Sequence, residues 1–164
     1  MQPCFSPGTA DNLEAVFHLI RERIRWMDEM GLEQWNKEDY WDVYPPSYYE
    51  KAAAEGRLFV LRESGAGAII AAGVLSCSDA RWPADGKGLY LHNFVTALHA
   101  KGAGVVFLSE AEAYARRQEK SFLRLDCAAS NRRLNDYYES HGYNAVSSVN
   151  DRDYLGILRE KALL

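Results

Sequence analysis

An apolar run from Leu89 to Thr96, the stretch His99-Ala100-Lys101-Gly102-Ala103-Gly104 and an amphipathic segment to about Gln118 constrain this chain more than any other feature. A second apolar run, Phe122 to Cys127, follows. Strand, helix, strand in that order folds with a right-handed crossover, so the two strands lie parallel in one sheet and the helix covers a face. Val105, Leu108, Ala111 and Ala115 recur as the helix's inner stripe. Arg116 and Arg117 stand at its C-terminal end, where the macrodipole favours cations. The loop has a chemistry of its own. The first N–H groups of a helix have no partner inside it and attract an anion, and glycines let that backbone approach closely. The Gly-Lys-Ser/Thr ending of a nucleoside-triphosphate loop is missing, since Lys101 precedes Gly102 and Val105 follows Gly104.

Before this unit, Asp11 with Glu14 reads as a helix cap, after which Leu13, Val16, Phe17, Ile20, Ile24 and Met27 recur at helical spacing. Gly31 closes or kinks that helix. Residues 32–46 read as irregular and aromatic, with Trp35, Tyr40, Trp41 and Tyr44 before Pro45-Pro46. Ser47 with Glu50 reads as the capping box of a short helix ending at Gly56. Leu58 to Arg62 and Ala68 to Ser76 predict paired strands, with a bulge or close backbone approach at Ala71-Ala72-Gly73. A loop at 79–88 precedes the crossover unit. Beyond it come a helix from about Asn131 with Gly142 just past its end, then strands near 143–149 and 154–158. With a short N-terminal strand, this predicts an α/β (α+β) fold, a mixed central sheet of about 6–7 strands flanked by about four helices.

At 164 residues the chain suits a single domain, residues 1–164, and its 48% hydrophobic and 26% charged residues are those of a globular protein. The net charge of −4 argues against a nucleic-acid partner. Asp11 and Glu14 interrupt any leader-like apolar core, and the most apolar stretch, Ala66 to Leu75, is far short of the roughly 20 residues a bilayer requires. No membrane association is expected. Three dispersed cysteines, Cys4, Cys77 and Cys127, suggest reduced thiols and a cytoplasmic setting.

Downstream of the glycine loop stand Leu125-Asp126-Cys127, Asn131, Tyr138 and Gly142-Tyr143. Loop, spacing and second helix together resemble the GNAT superfamily of acyl-CoA-dependent N-acyltransferases. Its pyrophosphate loop reads Gln/Arg-x-x-Gly-x-Gly/Ala, and its downstream pattern reads Leu-x-Val/Cys, then Asn, then Phe/Leu-Tyr-Glu-x-x-Gly-Phe. The resemblance is dense over residues 92–143 and looser elsewhere. Two positions depart from it: His99 stands for the usual Gln/Arg, and Ala100 for a basic residue or glycine. Phosphate binding would then rest on backbone N–H groups and Lys101.

The resemblance implies the GNAT fold, with a splayed parallel pair of strands admitting a pantetheine arm. It implies acetyl-CoA as co-substrate and no metal. The reaction would be direct acetyl transfer to a primary amine of a small molecule or peptide. Cofactor contacts carry over to Phe94, Val95 and Thr96 on the strand, to His99, Lys101, Gly102, Ala103, Gly104 and Val105 at the loop, and to Asn131, Asn135 and Tyr138 on the second helix. A backbone N–H near Phe94 would polarise the thioester carbonyl. Tyr138 would protonate the leaving thiolate, unless it rather than Tyr137 is the core residue of that helix. His92 has a pKa suited to a base, against a purely structural role. Glu29 and Glu33 are candidates for binding a cationic substrate, and Trp35 for lining the acceptor pocket by cation–π contact. The competing reading of the aromatic tract is hydrophobic packing. Cys127 reads as a small core thiol rather than an acyl-enzyme nucleophile. The alternative to an enzyme is a non-catalytic acyl-CoA sensor or scaffold domain, and a homodimer through the late strands is consistent with the family.

Overall fold

The first helix is entered through a cap earlier than its acidic residues suggest. In the computed structural model, which describes residues 2–32, 39–64 and 67–164, strand β1 (Cys4–Pro7) leads through a 3-10 turn at Ala10–Asn12 into α1 (Leu13–Glu29). The Thr9 N–H donates to Asn12 Oδ1 at 2.8 Å, so Thr9 with Asn12 forms the cap in place of Asp11 with Glu14. Leu13, Val16, Leu19, Ile20 and Met27 are its buried face. The stretch expected to be irregular contains a short helix, α2 (Tyr40–Val43). Then α3 (Pro46–Ala54) starts with Pro46 at its first position, where a missing N–H costs nothing. Pro45 is its cap, with the Tyr48 N–H donating to the Pro45 carbonyl at 2.8 Å. Ser47 therefore lies inside the helix and the expected capping box is not used.

The other elements are β2 (Leu58–Arg62), β3 (Ile69–Ser76), β4 (Gly88–Thr96), α4 (Ala103–Arg117), β5 (Phe122–Ala128), α5 (Arg132–Ser140), β6 (Asn144–Asp151) and β7 (Tyr154–Ala162). They form a mixed seven-stranded sheet in the order β1-β2-β3-β4-β5-β7-β6. Contacts group the chain into two compact units, Met1–Leu75 with Asn93–Glu110, and Ser76–His92 with Ala111–Leu164.

In the first unit β1, β2 and β3 are antiparallel neighbours. Leu61 faces Ala71 but Arg62 faces Ile69, so Ile70 is the bulged residue, just before the small-residue stretch where a bulge was expected. The Ala97 N–H takes the bulge's carbonyl at 2.8 Å. Along α4, Phe107 and Leu108 are buried, whereas Val105 is 43% exposed and does not belong to the inner stripe.

In the second unit β4 and β5 are parallel, as the crossover requires, but their register covers only Gly88↔Phe122 to Tyr90↔Arg124. Both strands continue, to Thr96 and Ala128. Arg124, at the last pair, is 5% exposed. It donates to both Asp85 oxygens at 3.0 and 2.9 Å, to Glu160 at 2.9 Å and to the Tyr90 hydroxyl at 2.9 Å. The Trp82 ring lies 4.8 Å from its guanidinium carbon. A Cβ at Gly88 would stand 2.7 Å from Arg124 Cδ, so only glycine fits beside it.

The Arg124 hydrogen bonds, with the Lys87 N–H, hold the Asp85 carboxyl well below its usual range. Its folded-state pKa is thus below the unfolded value of about 4, and the stabilisation is present above that value and lost as pH falls through and below it. The urea midpoint should fall between pH 5 and pH 3. Asp85→Asn should start lower at neutral pH and lose less on acidification.

Candidate functional site

In the first unit, the chain leaves β4 and turns through His99 to Gly102 into α4. Gly102 has φ +84°, a left-handed conformation costly for other residues, and a Cβ there would meet nothing within 4 Å. The Ala103 N–H donates to Ala100 and the Val106 N–H to Gly102, each at 3.2 Å. The N–H groups of Gly102, Gly104 and Val105 find no acceptor among the described residues. His99, Lys101 and Gly102 line a groove of about 470 Å³ with Glu63 and Ile70. Lys101 is exposed and has no carboxylate partner among the described residues. Open space at Gly102, unpaired N–H groups and a free ammonium fit a diphosphate.

On β4 the expected contacts divide. The Val95 side chain is buried. Phe94 is half-buried rather than core, with its ring stacked on the buried Phe107 at a centroid distance of 4.9 Å. Thr96 is committed elsewhere: Arg23 of α1 donates to its carbonyl at 2.8 Å and its hydroxyl at 3.0 Å. Asn93, not singled out in the sequence, sits in the strand at φ +54°. Its Oδ1 accepts from the Tyr48 hydroxyl at 2.8 Å, and its Nδ2 donates to the Tyr40 hydroxyl at 3.1 Å. A signal existed, since asparagine is poor in strands and tolerant of the left-handed region.

The second unit carries the helix candidates. Tyr138, not Tyr137, is the buried member of the pair, at 6% exposed, so its ring takes the core place that stood against the acid role and only its hydroxyl is left to serve as a donor. Its hydroxyl has no hydrogen-bond partner among the described residues, and it is not a sealed, unsatisfied group. The buried hydroxyls of Tyr40 and Tyr49 bond each other, Tyr90 accepts from Arg124 and Tyr143 donates to Glu112. Tyr138 is thus the exception. Burial, then the nearby Cys127, pushes its phenol well above the usual value, so it stays a donor.

Asn131 is the N-cap of α5, accepting from the Leu134 N–H at 3.1 Å. Asn135 corrects the sequence reading. Its Nδ2 donates to the Ala128 and Asn131 carbonyls at 3.0 and 2.9 Å. Its Oδ1 accepts from Arg159 at 3.1 and 3.0 Å and from Cys127 Sγ at 3.2 Å. That amide is saturated as a brace and has nothing left for a cofactor arm. Burial raises the Cys127 thiol above its ordinary value, which keeps it protonated and unreactive. Cys4 and Cys77 are exposed free thiols.

His92 Nε2 lies 3.6 Å from Asp79 Oδ2. Burial alone would raise the Asp79 carboxyl, but Arg81's hydrogen bonds outweigh it and hold it below its usual value. Arg81 also bonds Asp126 at 2.8 Å, and the Tyr154 hydroxyl donates to Asp126 at 2.6 Å. Glu29 is exposed at the end of α1. Glu33 and Trp35 lie outside the described residues. Among the described residues, no three His, Cys, Asp or Glu side chains converge as metal ligands, and no helix is long and apolar enough to cross a membrane.

The family model of the acetyltransferase (GNAT) family matches residues 17–143, and the chain belongs to that family. It is 24% identical over 153 residues to the uncharacterized N-acetyltransferase YesJ of Bacillus subtilis, covering 87% of this chain and 82% of that one. A GNAT-family acetyltransferase from Listeria monocytogenes superposes with TM-score 0.78 at 21% identity, covering 98% of this chain and 95% of that one. PaiA N-acetyltransferase from Thermoplasma acidophilum, solved with coenzyme A, superposes with TM-score 0.77 at 15% identity, covering 99% of each chain.

The unequal commitment of two buried phenols gives a stability test. Tyr143→Phe takes a hydrogen bond from the buried Glu112, and should cost about 1–3 kcal/mol in urea unfolding. Tyr138→Phe removes an oxygen that bonds nothing among the described residues, and should leave the midpoint nearly unchanged.

Proposed function

We propose that this chain transfers an acetyl group from acetyl-CoA to a primary amine of a small molecule or peptide, by direct attack and without a metal, as a cytoplasmic enzyme. The Gly102, Gly104 and Val105 N–H groups and Lys101 hold the diphosphate, with His99 beside them. Coenzyme A in the PaiA structure supports that choice of co-substrate. The amine nitrogen attacks the thioester carbonyl, whose developing negative charge is met by the Phe94 N–H. The carbon–sulfur bond breaks, and the thiolate takes its proton from Tyr138. His92, beside Asp79, takes the proton lost by the amine.

The observation that carries this reading is the Tyr138 hydroxyl, the one buried phenol with no hydrogen-bond partner among the described residues. Burial keeps this phenol protonated, so its proton is in place when the thiolate leaves.

Acetyl-CoA at one hundred times its dissociation constant should stabilise the fold by about 2.7 kcal/mol, read as a rise in melting temperature. Gly102→Val should abolish that rise. Free thiol should form when acetyl-CoA is mixed with a panel of amines, and mass shifts identify the acceptor. Tyr138→Phe should lower kcat by about 10²–10⁴-fold with the melting rise retained. A melting rise with no thiol release from any amine would favour the sensor reading. No rise at all would remove the acetyl-CoA assignment.

A further inference from the structure

We propose that Asn93 is a positioning residue for acetyl transfer, its amide clamped by the Tyr40 and Tyr48 hydroxyls so that the Phe94 N–H keeps one direction. The inference rests on the function proposed above and adds residues that the family pattern of loop and second helix does not contain. A peptide N–H points where the preceding residue's dihedrals send it. Asn93, at φ +54°, therefore sets the direction of the next N–H, which belongs to Phe94. Glycine would allow that conformation but not select it. Asparagine tolerates it, and here the side chain does the selecting. Both ends of its amide are engaged, Oδ1 by Tyr48 at 2.8 Å and Nδ2 by Tyr40 at 3.1 Å.

The clamp has its own support. Tyr40 comes from α2, and Tyr48 and Tyr49 come from α3. The Tyr40 and Tyr49 hydroxyls bond each other, which fixes the Tyr40 oxygen. Burial pushes the Tyr40 and Tyr48 phenols up to about 12, so both keep their protons through neutral pH. On the far side of the peptide, the Phe94 ring is stacked on Phe107. Asn93 and Phe94 are thus each tied by their side chains, and the N–H between them is held from both directions.

The test compares wild type, Asn93→Gly and Tyr48→Phe. Asn93→Gly keeps the backbone conformation accessible and removes only the clamp. Its kcat with saturating amine should fall about 10²-fold, the cost of small misplacement at a reacting centre. The acetyl-CoA melting rise and the amine KM should be unchanged. Tyr48→Phe should lower kcat in the same direction and add little on the Asn93→Gly background, because the hydrogen bond it removes is already absent there. It carries the test if Asn93→Gly does not fold. With ¹⁵N-phenylalanine labelling, the Phe94 amide resonance should move more with acetyl-CoA than with CoA in wild type, and that difference should vanish in the variants. A variant that turns over normally and keeps the amide response overturns the clamp while leaving the acetyltransferase reading intact. A wild type whose Phe94 amide answers acetyl-CoA and CoA alike also overturns it. A wild type that acetyl-CoA does not stabilise takes down the functional reading, and this inference with it.

Discussion

The buried guanidinium of Arg124 fixes the end of the parallel ladder on which the second unit is organised. A cation this deep is costly unless its charge and its N–H groups are answered. Here Asp85 takes it bidentately, Glu160 and the Tyr90 hydroxyl take further N–H groups, and Trp82 covers its face. Those partners come from the 79–88 loop, from β4 and from β7, so one side chain gathers three segments around β5. The same residue closes the parallel register at Tyr90↔Arg124. A buried ion pair adds little to stability against an apolar packing of the same shape, and its use is to specify one arrangement. Register is what needs specifying here, because a parallel pair of three residues has few hydrogen bonds with which to do it.

The fold was legible because its main signals are redundant. Helical periodicity in α1, the strand–loop–helix–strand order and the Gly142 terminus each point to the same architecture, and the resemblance over residues 92–143 names it. The caps were less legible. Asp11 and Ser47 are good capping residues by type, yet Thr9 with Asn12 and Pro45 with Pro46 take those places. Several side chains near a helix start can satisfy the same N–H groups, and tertiary packing chooses among them. Val105 fails for a related reason. Valine fits the apolar stripe by spacing, but it stands in the first turn of α4, next to the loop, where the helix is still at the surface.

The candidate site was legible where backbone carries the chemistry and opaque where side chains choose partners. Gly102 and its neighbours were singled out by the glycine loop together with the resemblance downstream, and Gly102 has the positive φ that a glycine allows. Asn135 looked available on the face it shares with Asn131 and Tyr138, but Arg159, distant in sequence, had already taken its oxygen. Asn93 was passed over because a single asparagine in an apolar strand has no pattern around it, and Tyr40 and Tyr48 reach it across about fifty positions of chain. Among buried polar groups, those fully answered by the protein are structural. Among the buried tyrosines, Tyr138 alone has a hydroxyl with no partner among the described residues.

The disposition of the three cysteines bears on how activity can be followed. Cys4 and Cys77 stand in water, while Cys127 is enclosed and held as a thiol by burial. Disulfide dyes that colour released coenzyme would also react with the two surface sulfurs. Each chain would add a stoichiometric, substrate-independent burst before any steady rate. Replacing Cys4 and Cys77 with serine would clear that background, and the remaining sulfur would turn coloured only as the fold opened. The cleared protein would then report unfolding through Cys127 and turnover through coenzyme with the same reagent, on separable time courses.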